Sequence, residues 1–166
     1  LRDGLGMIKN SAEVEKLACQ ADSTDGVVLV PAFTGLGAPH WDSDARALLC
    51  GMSRGTNKTH IARAALESIA FQVSDVLNAM QSDIGQALKE LRVDGGASQN
   101  DMLMQFQADI LNVPVLRPKL LEATAWGSAA MAGLKMGIFT STQDIAKTWQ
   151  LERAFEPQMS EDQRQY

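Results

Sequence analysis

Leu66, Ile69, Ala70, Val73, Leu77, Met80 and Ile84 recur every three or four residues, the sustained apolar stripe of one helix face. Thr56 or Asn57 can cap the start of that helix, and Gly85 stands where a left-handed stop is expected. Other apolar runs are shorter. Val27 to Pro31, bounded by the turn cluster Thr24-Asp25-Gly26, reads as a strand buried on both faces. Ala47 to Met52, Leu91 to Asp94 and Val113 to Pro118 read as further strands, the last with prolines that favour an edge or a strand start. Helical patterns fall between them: Val14 to Ala21, a helix beginning at Ser98, and Thr142 to Trp149. Ala123 to Met136 is helical and dense in Ala, Gly and Ser, which predicts a tightly buried helix, and a polar tail runs from Glu156 to Tyr166. Strands alternating with helices predict an α/β layered domain with no internal repeat.

Composition narrows the function. The chain has 166 residues, enough for one hydrophobic core, and 15 Lys and Arg against 20 Asp and Glu give a net charge of -5. That balance argues against nucleic-acid or anionic-membrane partners, which need clustered cations. No apolar run reaches the roughly 18 residues of a membrane span. Cys19 and Cys50 have no metal-ligand spacing and read as reduced structural thiols, which with the absence of an export signal predicts a cytoplasmic protein. The chain opens on Leu1 rather than Met, which predicts a piece of a longer protein.

The strongest chemical signal is Val93-Asp94-Gly95-Gly96-Ala97-Ser98-Gln99-Asn100. A buried strand entering two glycines and then a helix capped by Ser98 allows a ligand to approach the backbone closely. A helix N-terminus favours a phosphate or another electron-rich group, and the Asn100 amide can bind a heterocycle such as adenine. An ordinary glycine turn fits the same spacing. It is neither a Walker A loop nor the dinucleotide fingerprint, since Gly-Lys-Ser/Thr and a third glycine are both missing. The loop Pro31 to Asp42 is a second candidate, through His40 or Asp42 as acid or base. It equally suits a loop packed by Phe33 and Trp41. His60 has no ligating neighbour and reads as a satisfied or solvated side chain. With two histidines and no Gly-x-Ser-x-Gly elbow, no hydrolase triad is supported.

Several segments together resemble a known family. Val30-Pro31-Ala32-Phe33-Thr34-Gly35-Leu36-Gly37-Ala38-Pro39-His40-Trp41-Asp42 resembles a hallmark of the glycerol branch of the FGGY carbohydrate kinases. Ala47 to Met52 with His60-Ile61 and Ala64 to Glu67 resembles a second signature, and Arg92 to Ala97 with Leu103 to Leu111 resembles the adenosine-side segment. Glu122 to Ala130 is similar to the last buried helix of the family. The departures are His40, where Tyr is usual, and Trp126, where Leu is usual.

The resemblance implies an actin-like, ribonuclease H-like fold of two domains with ATP in the cleft between them. Residues 1–166 would be the greater part of the second, C-terminal domain. It implies that Gly96 and Asn100 bind ATP, with Gly95 and Ala97 shaping the same turn. Catalytic residues, the glycerol site and the N-terminal phosphate loop would lie upstream, so no catalytic or metal-binding residue is assigned here. The whole enzyme would use ATP with Mg2+ to phosphorylate glycerol, and members often assemble as dimers or tetramers. Another sugar kinase of the family, or a non-catalytic actin-like nucleotide-binding module, stays open.

Overall fold

A computed structural model describes residues 1–164; Gln165 and Tyr166, the end of the polar tail, lie outside the described residues. In chain order the elements are α1 (Glu13–Ala18), β1 (Val28–Val30), β2 (Leu48–Cys50), α2 (Lys58–Ile84), β3 (Leu91–Arg92), a 3-10 helix (Gly96–Gln99), α3 (Asp101–Leu111), β4 (Val115–Pro118), α4 (Ala123–Lys135), α5 (Thr142–Ala146), β5 (Leu151–Phe155) and α6 (Glu161–Arg164). None of the described helices is long and apolar enough to cross a membrane.

The long stripe folds as expected at its ends and departs from expectation along its face. Asn57 is the N-cap of α2: its Oδ1 accepts from the Thr59 N–H at 2.8 Å, and its own N–H donates to His60 Nδ1 at 3.3 Å. That reciprocal pair satisfies two orphan amides and gives His60 a local structural role. Gly85 ends the helix in the left-handed region at φ 70°. Leu66 and Ala70 are buried, but Met80 is 49% exposed and Ile84 63% exposed. A helix of 27 residues runs about 40 Å, so its far half outreaches the body it packs against.

Two clusters hold the chain together. Leu17 and Ala18 of α1 pack on Ala62 and Leu66 of α2. Ala70 of α2 meets Leu103, Met104 and Phe106 of α3, with Val115 and Phe155 of the sheet below. Phe71 and Phe106 add an edge-to-face contact with ring centres 5.5 Å apart. β3 and β4 are parallel and joined through α3, the βαβ unit that needs a helix-length crossover.

Four sequence expectations are corrected. β4 is the central strand of the order β3-β4-β5, not an edge, while the other expectation for its prolines, a strand start, holds at Pro114. Pro114 precedes the strand, and Pro118 sits where the register shifts, so neither removes a needed ladder N–H. β5, which completes that sheet, has no expected counterpart; only Phe155 in it is buried. β1 pairs only with β2, and Val28 is 50% exposed, so this strand is not buried on both faces. α4 is mostly exposed, with only Ala130 and Gly133 buried. Small side chains permit close approach but do not enforce it. Close approach is seen at Gly133, where an added Cβ would stand 3.1 Å from Phe139, and at Trp126, whose ring meets Phe139 edge-to-face.

Candidate functional site

The glycine turn is built differently from its sequence reading. The strand entering it is half-exposed rather than buried. Gly95 adopts φ 74° and ψ 174°, a conformation only glycine takes readily. An added Cβ there would meet nothing within 4 Å, so backbone conformation rather than space demands glycine. Its N–H donates to the Leu121 carbonyl at 2.8 Å, anchoring the turn to the segment before α4. Residues Gly96–Gln99 then wind as a 3-10 helix. Ser98 is not the cap of α3. Its hydroxyl donates back to the Gly95 carbonyl at 2.7 Å and is buried in the turn.

Asn100 is the cap. Its Oδ1 accepts from the Leu103 N–H at 2.8 Å. The neighbouring Met102 N–H is taken by Glu15 Oε1 of α1 at 2.9 Å, a contact spanning 87 residues of sequence. With two of its leading amides occupied and two carboxylates beside it, Glu15 and Asp101, the N-terminus of α3 does not suit a phosphate. Asn100 Nδ2 makes no hydrogen bond to any described residue, so the amide keeps a donor while its oxygen caps the helix.

Gly96, Ala97 and Asn100 line one cavity of about 580 Å³, together with Val14 and Glu15 of α1 and Ile69 of α2. Gly95 shapes the turn without lining the cavity. The walls are largely apolar with a few polar side chains among them, Ser11, Glu15, Gln99 and Asn100, the make-up of a small-molecule pocket. Val14, Glu15 and Ile69 were not foreseen as site residues. No local motif marks them; only the packing of α1 and α2 against α3 brings them there.

Behind the turn stands Arg117 of β4, which is 8% exposed. Its Nη1 donates to the Ser98 carbonyl at 2.9 Å and to Asp101 Oδ1 at 2.7 Å, and its Nε donates to Glu152 Oε2 at 2.5 Å. The Glu152 hydrogen bond, aided by Asp101 against the opposing effect of burial, holds the guanidinium above even its usual high pKa. Arg153 also donates to Asp101, through Oδ2.

The second sequence candidate does not gather an acid–base pair of its own. Leu36 and Asp42 exchange backbone hydrogen bonds at 2.7 and 3.0 Å, closing the loop around a cis Ala38–Pro39 bond. Asp42 Oδ1 accepts from the Asp44 and Ala45 amides, a turn-forming role. His40 Nε2 lies 3.4 Å from Asp75 Oδ2 at an exposed position. Phe33 and Trp41 are 72% and 80% exposed, so they do not pack the loop; its backbone bonds hold it. Cys19 and Cys50 are both exposed, which corrects their reading as structural thiols.

The chain matches the model of the FGGY family of carbohydrate kinases, C-terminal domain, over residues 3–136. It is 78% identical over 165 residues to a glycerol kinase of Acinetobacter baylyi, covering 99% of this chain and 33% of that protein. It is 62% identical over 164 residues to a glycerol kinase of Deinococcus radiodurans, with 99% and 33% covered. Among solved structures it superposes on Plasmodium falciparum glycerol kinase with ADP at a TM-score of 0.84 and 38% identity, covering 96% of this chain and 32% of that one. The chain therefore spans about a third of the length of the relatives it matches. The actin-like fold expected from the resemblance is the fold of these neighbours. This chain belongs to the FGGY family of carbohydrate kinases, and it is the C-terminal domain of that family that it matches.

Proposed function

We propose that this chain forms the adenosine-side wall of the nucleotide site in an ATP-dependent glycerol kinase, with Gly96, Ala97 and Asn100 against the nucleoside and Gly95 setting the turn. The whole enzyme transfers the γ-phosphoryl group of ATP to glycerol, giving sn-glycerol 3-phosphate and ADP. One juxtaposition supports the reading: those three residues line a single, mostly apolar cavity in a chain 78% identical to a glycerol kinase. A mostly apolar slot that carries the Asn100 amide and the Glu15 carboxylate suits a purine better than a triphosphate. The triphosphate would be met by residues outside this chain. The Mg2+ expected with ATP finds no cluster of three or more His, Cys, Asp or Glu side chains among the described residues.

The division of labour follows from phosphoryl-transfer chemistry, which rests on positioning and charge stabilisation around the transferred group. Holding the nucleoside fixes where the γ-phosphoryl lies, but the groups that act on it belong to the rest of the cleft. The isolated 166-residue chain is accordingly expected to show no turnover.

The test is phosphoryl transfer by the full-length enzyme, followed with glycerol and, separately, with xylulose and other ketoses. Transfer to glycerol at a kcat/KM at least about tenfold above any ketose supports the reading. Preference for a ketose makes it a different sugar kinase of the family, and absence of transfer to any acceptor makes it a non-catalytic nucleotide-binding module.

A further inference from the structure

The nucleotide turn is not held by its own hydrogen bonds alone. The backbone bonds of the 3-10 helix are long, Ser98 N–H to Gly95 at 3.2 Å and Asn100 N–H to Ala97 at 3.2 Å, with the Ser98 hydroxyl adding one 2.7 Å bond to the Gly95 carbonyl. The Ser98 carbonyl points instead to a side chain from β4, the nine-tenths buried Arg117, which reaches it at 2.9 Å. The same guanidinium grips Asp101, the first residue of α3, at 2.7 Å and Glu152 of β5 at 2.5 Å, and lies 5.1 Å from the centre of the Phe155 ring. Its planar fork therefore ties three elements to one rigid point: the turn through the Ser98 carbonyl, and the helix start and the sheet through the Asp101 and Glu152 carboxylates.

We infer that Arg117 is a positioning residue for nucleotide binding, setting the turn that carries Gly96, Ala97 and Asn100 through its bond to the Ser98 carbonyl. This rests on the reading of the cavity as the nucleoside pocket. Arg117 does not line that cavity. It acts on the ligand only through Ser98, two residues before the cap Asn100, and Asp101, directly after it. Lysine carries the same charge but one compact donor group on a flexible stem, so it cannot hold Ser98, Asp101 and Glu152 together in one plane.

The decisive measurement is calorimetric titration of the full-length enzyme with ADP and, separately, with glycerol. Arg117→Lys should weaken ADP binding by about tenfold and Arg117→Met by more, while glycerol binding stays within about twofold. Glu152→Gln, which removes an ion-pair partner but leaves the Ser98 bond, should keep ADP binding within about twofold of wild type. Hydrogen exchange should accelerate over residues 96–100 in Arg117→Lys and remain unchanged in the second half of α3. Should Arg117→Met fail to fold, the lysine variant carries the comparison. ADP affinity unchanged in Arg117→Lys, or ADP and glycerol weakened in parallel, overturns the role. A wild-type enzyme that does not bind ADP defeats the reading of the pocket itself, a distinguishable failure.

Discussion

Arg117 and Arg153 face each other directly across the β4–β5 ladder, and the carboxylate of Asp101 bridges them, one oxygen to each guanidinium. Like charges directly opposite in a sheet repel. Here the start of α3 supplies the counter-charge, so strand pairing and helix placement depend on one side chain. The Phe155 ring completes the arrangement, with the Arg153 guanidinium carbon 4.6 Å from its centre.

Asp101→Asn should therefore destabilise the protein by about 1–3 kcal/mol, chiefly through the buried Arg117, since the half-exposed Arg153 pair contributes little. Adding Arg153→Gln to that variant should recover part of the loss, since Glu152 then remains the one carboxylate paired with Arg117 and the opposed charge is gone. Urea midpoints of the two variants check this; a double variant no more stable than the single one would show that the opposed charges do not matter.

Asn100 has two separable duties, one for each end of its amide. Asn100→Asp keeps the capping oxygen and should leave stability nearly unchanged, yet it removes the free donor and should raise the KM for ATP about tenfold with little change for glycerol. Asn100→Ala should show the same nucleotide defect plus a cap loss of about 1 kcal/mol. Parallel kinetics and thermal melts separate the effects, and an aspartate variant with normal ATP kinetics would remove the donor from the site.

Two glycines in the left-handed region should respond very differently to alanine. At Gly51 (φ 76°) the new Cβ would stand 1.9 Å from the Gly26 carbonyl oxygen, a clash only backbone movement can relieve. Gly51→Ala should lose about 3 kcal/mol or more, enough to deplete soluble protein. Gly85→Ala meets nothing within 4 Å and should lose only about 1–2 kcal/mol, the strain of the conformation itself. Denaturation midpoints for the pair decide the point.

Glu67 provides a pH test. Burial lifts its carboxyl above the ordinary glutamate range, and its 2.8 Å pair with Arg63 offsets this only partly. Because the folded value exceeds the unfolded one, the native state binds more protons between the two values. Stability from this group is therefore lost as pH rises through that window and regained as pH falls through it. The stability of wild type relative to Glu67→Gln should grow as pH is lowered from 7 toward the ordinary glutamate value. A constant difference across that range would show that the burial penalty is absent.

Local pattern carried much of the architecture. The period of α2 and its two caps were legible because a helix's length and ends depend on neighbouring residues: Asn57 caps and Gly85 stops, as their chemistry requires. The place of the glycine turn was legible for the same reason, but not its cap: Ser98 was the expected cap, and Asn100 is the residue that caps α3. By contrast β5 was missed, because Leu151 to Ala154 are exposed and the strand exists by pairing with β4. The burial expected of α4 failed because small residues allow contact without supplying it.

The sequence by itself determined the longer helices, though not the short α6 within the polar tail, the place of the sharp turn and, through the order of its motifs, the family. Only the tertiary structure decided which residues share the pocket. Glu15 reaches the Met102 amide across 87 residues, and Arg117 reaches the Ser98 carbonyl across 19. Such contacts follow from how α1, α3 and β4 pack, which depends on the whole core at once. That packing also gave the start of α3 to Glu15 and Asn100, leaving an apolar slot where the turn alone had suggested a phosphate site.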